Sequence, residues 1–494
     1  MRQRPSSLGG RSGWYGIGLL LAIGALSGCA LGPRLVLPAV ESDEFMAARA
    51  AEPAITLADL PWWELFADAI LRDLIQTALT NNYDLRMAIQ RVEQSRALRA
   101  QAGAQFWPQA DYGGVLERSR NAFGGQATPG SGQTGSPVLL AASVAWELDL
   151  WGRVRRLHEV AQAQWLATAE ARRGVTLLLV CNVAQTYYEL LELDLELEIA
   201  QRTTLAFKES LDIFSQKLAA GTASRLETAR AEAALTMISA LIPELERQIV
   251  IKENQLNLLM APNPGPVPRA QSRLLLEAPP PVSAGLPADL LRQRPDIRQA
   301  EQQLRAANAQ IGLAIAQCFP RIGLTALFGR VSTELEDFNA DAQAWSLGGN
   351  LTGPLFQGGA LLAQVRQARA HSAESALAYE AAVRAAFRDV ANALVTRAKL
   401  EEIYVQQRRC VECYQEAVSG ARDRYLAGKA SYYEVLETQQ QLFPAENNLV
   451  RTQLYRQLAF IQLYKALGGG WNLPDDQWSA VSAERDPVAT RIQR

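Results

Sequence analysis

Two carboxylates one helical turn apart, Glu434 and Glu437 in Tyr433-Glu434-Val435-Leu436-Glu437, are the residues best placed to act electrostatically in this chain. At i and i+3 they share one helix face. Crowded against copies of themselves, such acids raise one another's pKa values and attract cations. Taken alone, the pair also fits a blander reading. Glu434 follows Ser431 by three residues, as the glutamate of a capping box does, which leaves Glu437 solvated. Other constellations fail on spacing. His158-Glu159 begins like a zinc-protease motif, but position 162 is Gln. There is no phosphate-cradling Gly-x-x-x-x-Gly-Lys-Ser/Thr loop and no Gly-x-Ser-x-Gly nucleophile elbow. Cys410 and Cys413 form a Cys-x-x-Cys inside a long helical pattern with no strand before it, so packing on a helix face is the better reading than redox or metal chemistry. The chain reads as a non-enzyme without metal or cofactor, driven by whatever it partners.

The N-terminus points to export. Arg2, Arg4 and Arg11 precede an apolar run from Trp14 to Leu26, too short for a comfortable membrane span. The run ends in Leu26-Ser27-Gly28-Cys29, which resembles the lipobox of bacterial lipoproteins. That resemblance implies that Cys29 becomes the first mature residue and carries covalent lipid. Ala30, rather than Asp, after the cysteine implies passage to the outer membrane. The formal net charge of −2 leaves no nucleic-acid footprint, and the cysteines are too few and too irregular for a disulfide framework.

The elements that position the acid pair are long helices. No proline occurs between Pro137 and Pro243, or between Pro354 and Pro444. Within those stretches apolar residues recur at helical spacing, for example Val175, Leu178, Leu179 and Val183, or Ala386, Val390, Ala393 and Leu394. The pattern predicts helices over 153–220 and 361–427, each spanning roughly 100 Å at 1.5 Å per residue. Each stops at a glycine, Gly221 or Gly428, suited to a left-handed cap. Ser224 with Glu227 and Ser431 with Glu434 then predict capping boxes opening return helices over 225–260 and 432–467. Pro243 and Pro444 should bend those return helices.

Between the helices lie alternating segments. One face carries Val138, Leu140, Ala142, Val144, Trp146, Leu148 and Leu150; another carries Trp345, Leu347, Gly349, Leu351, Gly353 and Leu355. Ile322, Leu324, Ala326 and Phe328 form a third such face, and Ala110, Tyr112, Gly114 and Leu116 a weaker fourth. These are the period-2 strands of a membrane barrel, although any one alone also fits a soluble antiparallel sheet. Four strands are too few to close a barrel, and an open edge in lipid leaves amides unpaired, so membrane strands require several chains to share one barrel.

The chain is also written twice. The segment around Gly221 returns 207 residues later around Gly428, and Asp84 to Pro108 returns 212 residues later as Asp296 to Pro320. The expected organisation is a signal at 1–28, an acylated segment at 29–60, a first repeat at 61–260, a proline-rich linker at 261–288, a second repeat at 289–471 and a loose tail at 472–494.

Three stretches carry a family resemblance: Leu286 to Glu301, containing Arg292-Gln293-Arg294-Pro295-Asp296-Ile297-Arg298; Gly353-Pro354-Leu355-Phe356-Gln357-Gly358-Gly359; and Leu463 to Trp471, containing Leu467-Gly468-Gly469-Gly470-Trp471. With the lipobox, they make the chain resemble TolC-like outer-membrane efflux proteins, specifically the NodT-type lipoprotein branch. The likeness covers nearly all of it from Cys29 to Trp471.

The resemblance implies a mainly α fold with a membrane β-barrel. Three protomers would give four strands each to a twelve-stranded barrel, and long helical hairpins would form a periplasmic α-barrel. It implies a homotrimer in the outer membrane, a periplasmic adaptor, an inner-membrane pump of the usually proton-driven kind, and passive exit of small toxic compounds or drugs. It makes Tyr433, Glu434 and Glu437 a periplasmic gate, with Glu where the family more often has Asp. It makes the tips Gly221, Thr222, Ala223 and Ser224, and Gly428, Lys429, Ala430 and Ser431, the adaptor contacts. The first-half counterparts of the acid pair are Glu227 and Arg230, so the pair is not duplicated. A protein-secretion duct and a lipid-anchored coiled-coil scaffold are the competing readings.

Overall fold

The computed structural model describes residues 30–38, 57, 60–66, 68–120, 122–123, 126–127, 134–136, 138–270, 293–332 and 343–470. Cys29, most of the linker and the tail beyond 470 therefore lie outside the described residues. The chain is mainly helical. In order it runs α1 (Trp62–Leu65), α2 (Ala69–Asn81), α3 (Tyr83–Ala104), β1 (Gln109–Leu116), β2 (Val138–Leu148), α4 (Arg153–Ala219), α5 (Arg225–Ser239) and α6 (Leu241–Met260). It continues with α7 (Pro295–Ala316), β3 (Arg321–Ser332), β4 (Gln343–Thr352), α8 (Ala360–Leu426) and α9 (Tyr432–Ala466). Two-residue ladders pair Ser119–Arg120 with Thr134–Gly135 and Ala122–Phe123 with Gln126–Ala127. No described helix is long and apolar enough to cross a membrane.

The chain divides into two compact units. The first comprises Met1–Ala39, Arg91–Ala169 and Gln299–Glu380. Its centre is an antiparallel sheet in the order β1-β2-β3-β4. The register lines up Tyr112, Ala142, Phe328 and Trp345 in one row and Ala110, Val144, Ala326 and Leu347 in the next. Alternation therefore collects all four apolar sets on one face. Asp111, Ser143, Leu327 and Ser346 line up on the other. Much of the apolar face is bare: Tyr112 is 90%, Trp345 75% and Leu347 79% exposed. Among the described residues, the outer edges of β1 and β4 have no partner strand.

The strands stop earlier than the alternation does. Leu150 lies past the end of β2, because Asp149 turns the chain and accepts the N–H groups of Val154 (3.0 Å) and Arg155 (2.9 Å) at the start of α4. Gly353 and Leu355 lie past β4, where Pro354 has no N–H to give the ladder. Gly358 and Gly359, at φ 58° and 87°, turn the chain into α8.

The second unit comprises Val40–Gln90, Glu170–Arg298 and Ala381–Arg494. Its core includes Leu190, Leu193, Ala200, Leu245 and Ile249, with Phe443 against them. Arg294 locks the start of α7. Its guanidinium donates to the Ala466 carbonyl at 2.8 Å and bridges Asp296 and Asp389. Gly468, at φ 72°, follows α9, and a Cβ on Gly469 would overlap the Tyr464 ring. The Arg-Pro-Asp and Gly-Gly-Gly stretches thus meet as one piece of packing.

The two return helices differ. Around Pro243 the return path is two helices, α5 and α6, breaking at Ala240, because the proline ring withholds the bond to the Ser239 carbonyl. α9 instead runs unbroken through Pro444, with buried Leu436 before it and buried Val450 after it.

Candidate functional site

Both hairpin tips lie in the second unit and are built by the same backbone device. At the first, the Thr222 N–H donates to the Lys217 carbonyl (2.9 Å) and Gly221 to Leu218 (3.0 Å); at the second, Lys429 donates to Arg424 and Gly428 to Tyr425, both at 2.9 Å. This is the Schellman arrangement, and it requires the left-handed conformation that Gly221 (φ 73°) and Gly428 (φ 68°) adopt. The tip residues Gly221, Thr222, Ser224, Gly428, Lys429 and Ser431 are exposed, and Ala223 and Ala430 are half-buried.

The side chains then diverge. Ser224 caps α5 in a closed capping box: it accepts from the Glu227 N–H at 3.3 Å, while Glu227 accepts from the Ser224 N–H at 2.7 Å. Those bonds to the Ser224 N–H and hydroxyl hold the Glu227 carboxyl below the usual carboxylate range. The expected second capping box does not form. Ser431 makes no side-chain cap. Glu434 instead lies 3.8 Å from the Arg424 guanidinium of α8, because its carboxylate finds a cation across the hairpin. Glu437 is exposed one turn further on.

The tips are brought together largely by residues without a predicted role, Phe214, Lys217, Tyr425 and Tyr432 among them. Lys217 of α4 donates to the Tyr425 hydroxyl and sits 4.7 Å over its ring. Tyr425 and Tyr432 meet edge-on at 4.8 Å, and Tyr432 meets Phe214 at 5.0 Å. The Tyr432 hydroxyl shares a 2.6 Å hydrogen bond with Ser210. Arg230 lies 5.5 Å over the ring of Tyr433. The residue that breaks the acid repeat in the first half thus covers the tyrosine beside the acids in the second. Beneath, Phe207, Ala234, Ile238 and Leu436 form one buried cluster from both hairpins. The adjacent tyrosines at 432 and 433 were the signal that could have flagged this lattice.

A second acid pair was not read from the sequence. Glu192 and Glu196 lie one turn apart on α4, both buried, with Arg451 of α9 at 3.9 Å and 2.8 Å respectively. Burial, reinforced by the charge of Glu196, pushes the Glu192 carboxyl up to about 8. Close by on the same helix, Glu189 is paired with Lys252 at 2.7 Å. Cys410 and Cys413 are free and exposed on α8. Among the described residues no group of three metal-ligating side chains converges.

Comparison places these features among known proteins. A family model described as "Outer membrane efflux protein" matches residues 74–261 and 286–469. The chain is similar to the solvent efflux pump outer membrane protein SrpC of Pseudomonas putida, at 38% identity over 413 residues, 83% of this chain and 87% of that protein. It is similar to the cation efflux system protein CusC of Escherichia coli O6:H1, at 34% identity over 456 residues, 90% and 97% of the two. A crystal structure of CusC superposes with a TM-score of 0.79 at 32% identity, covering 90% of this chain and all of that one.

Proposed function

The chain belongs to the outer membrane efflux protein family, and from that premise we propose that it is the passive exit duct of a tripartite efflux pump for small toxic compounds. Membership makes it a channel protein rather than an enzyme, located in the outer membrane and extending into the periplasm. The proposed assembly is a homotrimer working with a periplasmic adaptor and a proton-driven inner-membrane pump, without a cofactor. Cys29 carries the lipid, the exposed tips around Gly221 and Gly428 meet the adaptor, and the paired elements on either side of the linker are two copies of one unit.

One observation carries this reading. The four-stranded sheet has a largely bare apolar face, and among the described residues the outer edges of β1 and β4 are unpartnered. In lipid an unpaired edge is costly, and joining β4 of one copy to β1 of the next satisfies both edges. Three copies close twelve strands. An anchored coiled-coil scaffold has no use for such a face.

The gate is proposed at the second tip. Three copies bring together six carboxylates from Glu434 and Glu437, and the Glu434–Arg424 and Arg230–Tyr433 contacts hold that tip closed. Single-channel conductance in planar bilayers tests it. Small, cation-selective openings are expected, growing severalfold in Glu434→Ala/Glu437→Ala and in Arg424→Ala. No conductance from a folded, reconstituted oligomer rejects the duct. Unchanged conductance in both variants moves the gate elsewhere.

A further inference from the structure

We propose that Gly312, Gly152 and Arg156 form a seat for the segment just after Cys29, fixing the acylated N-terminus at the strand–helix junctions; this rests on the reading of Cys29 as lipidated. All the residues concerned belong to the first unit. The Leu31 N–H donates to the Trp151 carbonyl at 3.3 Å. Arg156 Nε donates to the Leu31 carbonyl at 2.8 Å, and Asn308 donates to the Pro33 carbonyl at 3.1 Å. A short strap is thus bonded at three points along its backbone.

The fit depends on missing side chains. A Cβ on Gly312, inside α7, would overlap the Leu31 carbonyl and the Arg156 side chain. A Cβ on Gly32 would come within 2.7 Å of the Gly312 Cα, and one on Gly152 within 2.7 Å of the Ala30 Cα. Gly32 and Gly152 also hold left-handed backbone, at φ 118° and 78°. A glycine in a helix interior is unfavourable relative to alanine. Gly312 therefore has a reason to be glycine that α7 by itself does not supply.

The seat has a defined place. Ala30 rests on Gly152, between the end of β2 and the start of α4. The other junctions from strand to helix in this unit lie at the same end of the sheet, as the pairing of Leu148 with Ile322 and of Arg321 with Thr352 requires. Each junction carries an aromatic: Trp107, Trp151, Phe319 and Phe356. Trp107 is 72% and Phe356 89% exposed. Aromatic rings concentrate where hydrocarbon meets headgroups. Ala30, the first described residue of the strap, is held at that end of the sheet, so the seat would keep a lipid carried on the preceding residue near the base of the apolar sheet face.

The test uses the full lipoprotein, wild type beside Gly32→Ala, Gly312→Ala and Arg156→Ala. Gly32→Ala alters only the strap and leaves the helices intact; Gly312→Ala should by itself favour α7. Hydrogen exchange over 30–38, palmitate incorporation and the yield of membrane-inserted oligomer are measured together. The expected result is normal palmitate labelling, at least tenfold faster exchange over 30–38 and severalfold less inserted oligomer in all three variants. Normal labelling with unchanged exchange, or faster exchange with unchanged insertion, overturns the seat alone. No palmitate on wild-type protein overturns the lipid reading and the seat's anchoring role with it.

Discussion

The two hairpin tips share a backbone and differ in what their acids do. Gly221 and Gly428 terminate α4 and α8 by the same pair of hydrogen bonds. After the first, Glu227 is spent locally, closing a capping box with Ser224. After the second, the glutamate in the equivalent place reaches across to Arg424 instead, and Ser431 leaves its side chain uncapped. A local cap stays satisfied whether or not the hairpins separate. A cross-hairpin ion pair does not, and exposed as this one is, its strength is small and screened by salt. The first tip is therefore a fixed turn and the second a turn whose contacts report on its neighbours. A gate needs the second kind.

The largest effect should come from breaking what the tips have in common. Leu436 is buried with Phe207, Ala234 and Ile238, in a cluster drawn from both hairpins. Leu436→Ala should cost about 2–5 kcal/mol through lost burial and the cavity left behind. Hydrogen exchange should accelerate at both tips together. Acceleration confined to the second hairpin would mean that the tips do not share a core, and the comparison between them would lose its footing.

A second acid pair sharpens the contrast by environment. Glu434 is half-buried and Glu437 exposed, whereas Glu192 and Glu196 are buried around a single guanidinium, Arg451. Burial raises the Glu192 carboxyl to about 8, so the folded chain keeps a proton that the unfolded chain loses near the ordinary glutamate value. The folded state then binds more protons, and stability falls as pH rises from that value to about 8. Glu192→Gln stays neutral and removes the fall. Its melting temperature should match wild type near pH 5 and exceed it by a few degrees at pH 8. Glu189, Glu196 and Arg451 also act on this group, and equal melting temperatures at both pH values would mean that they compensate its charge fully.

Much of this was legible in the sequence. Helix ends at 219 and 426 follow from the glycines that stop them, and the four apolar strand faces follow from strict alternation. Those signals are local, set by a few neighbouring residues. The alternation overran at Leu150 because the pattern did not say that Asp149 would cap a helix, and at Leu355 because alternation alone does not weigh Pro354, a local stop that ends the ladder. The second capping box was expected because Ser431 and Glu434 have the right spacing. Spacing cannot see Arg424 across the hairpin. The tyrosine lattice, the buried Glu192–Glu196 pair and the strap on Gly312 all depend on partners distant in the chain.

The smallest effect separates the tips most directly. Removing a serine that caps a helix costs about 1 kcal/mol, and removing one that caps nothing costs little. Ser224→Ala should therefore speed exchange of the first amides of α5 about fivefold, with no change in conductance. Ser431→Ala should leave the first amides of α9 as they were, since no side-chain cap is lost. If Ser431→Ala instead accelerates exchange as much as Ser224→Ala does, Glu434 spends its time in a capping box at the second tip too. The Arg424 contact would then be a minor partner, and Glu437, with no cap to make, would be left as the acid that distinguishes the two tips.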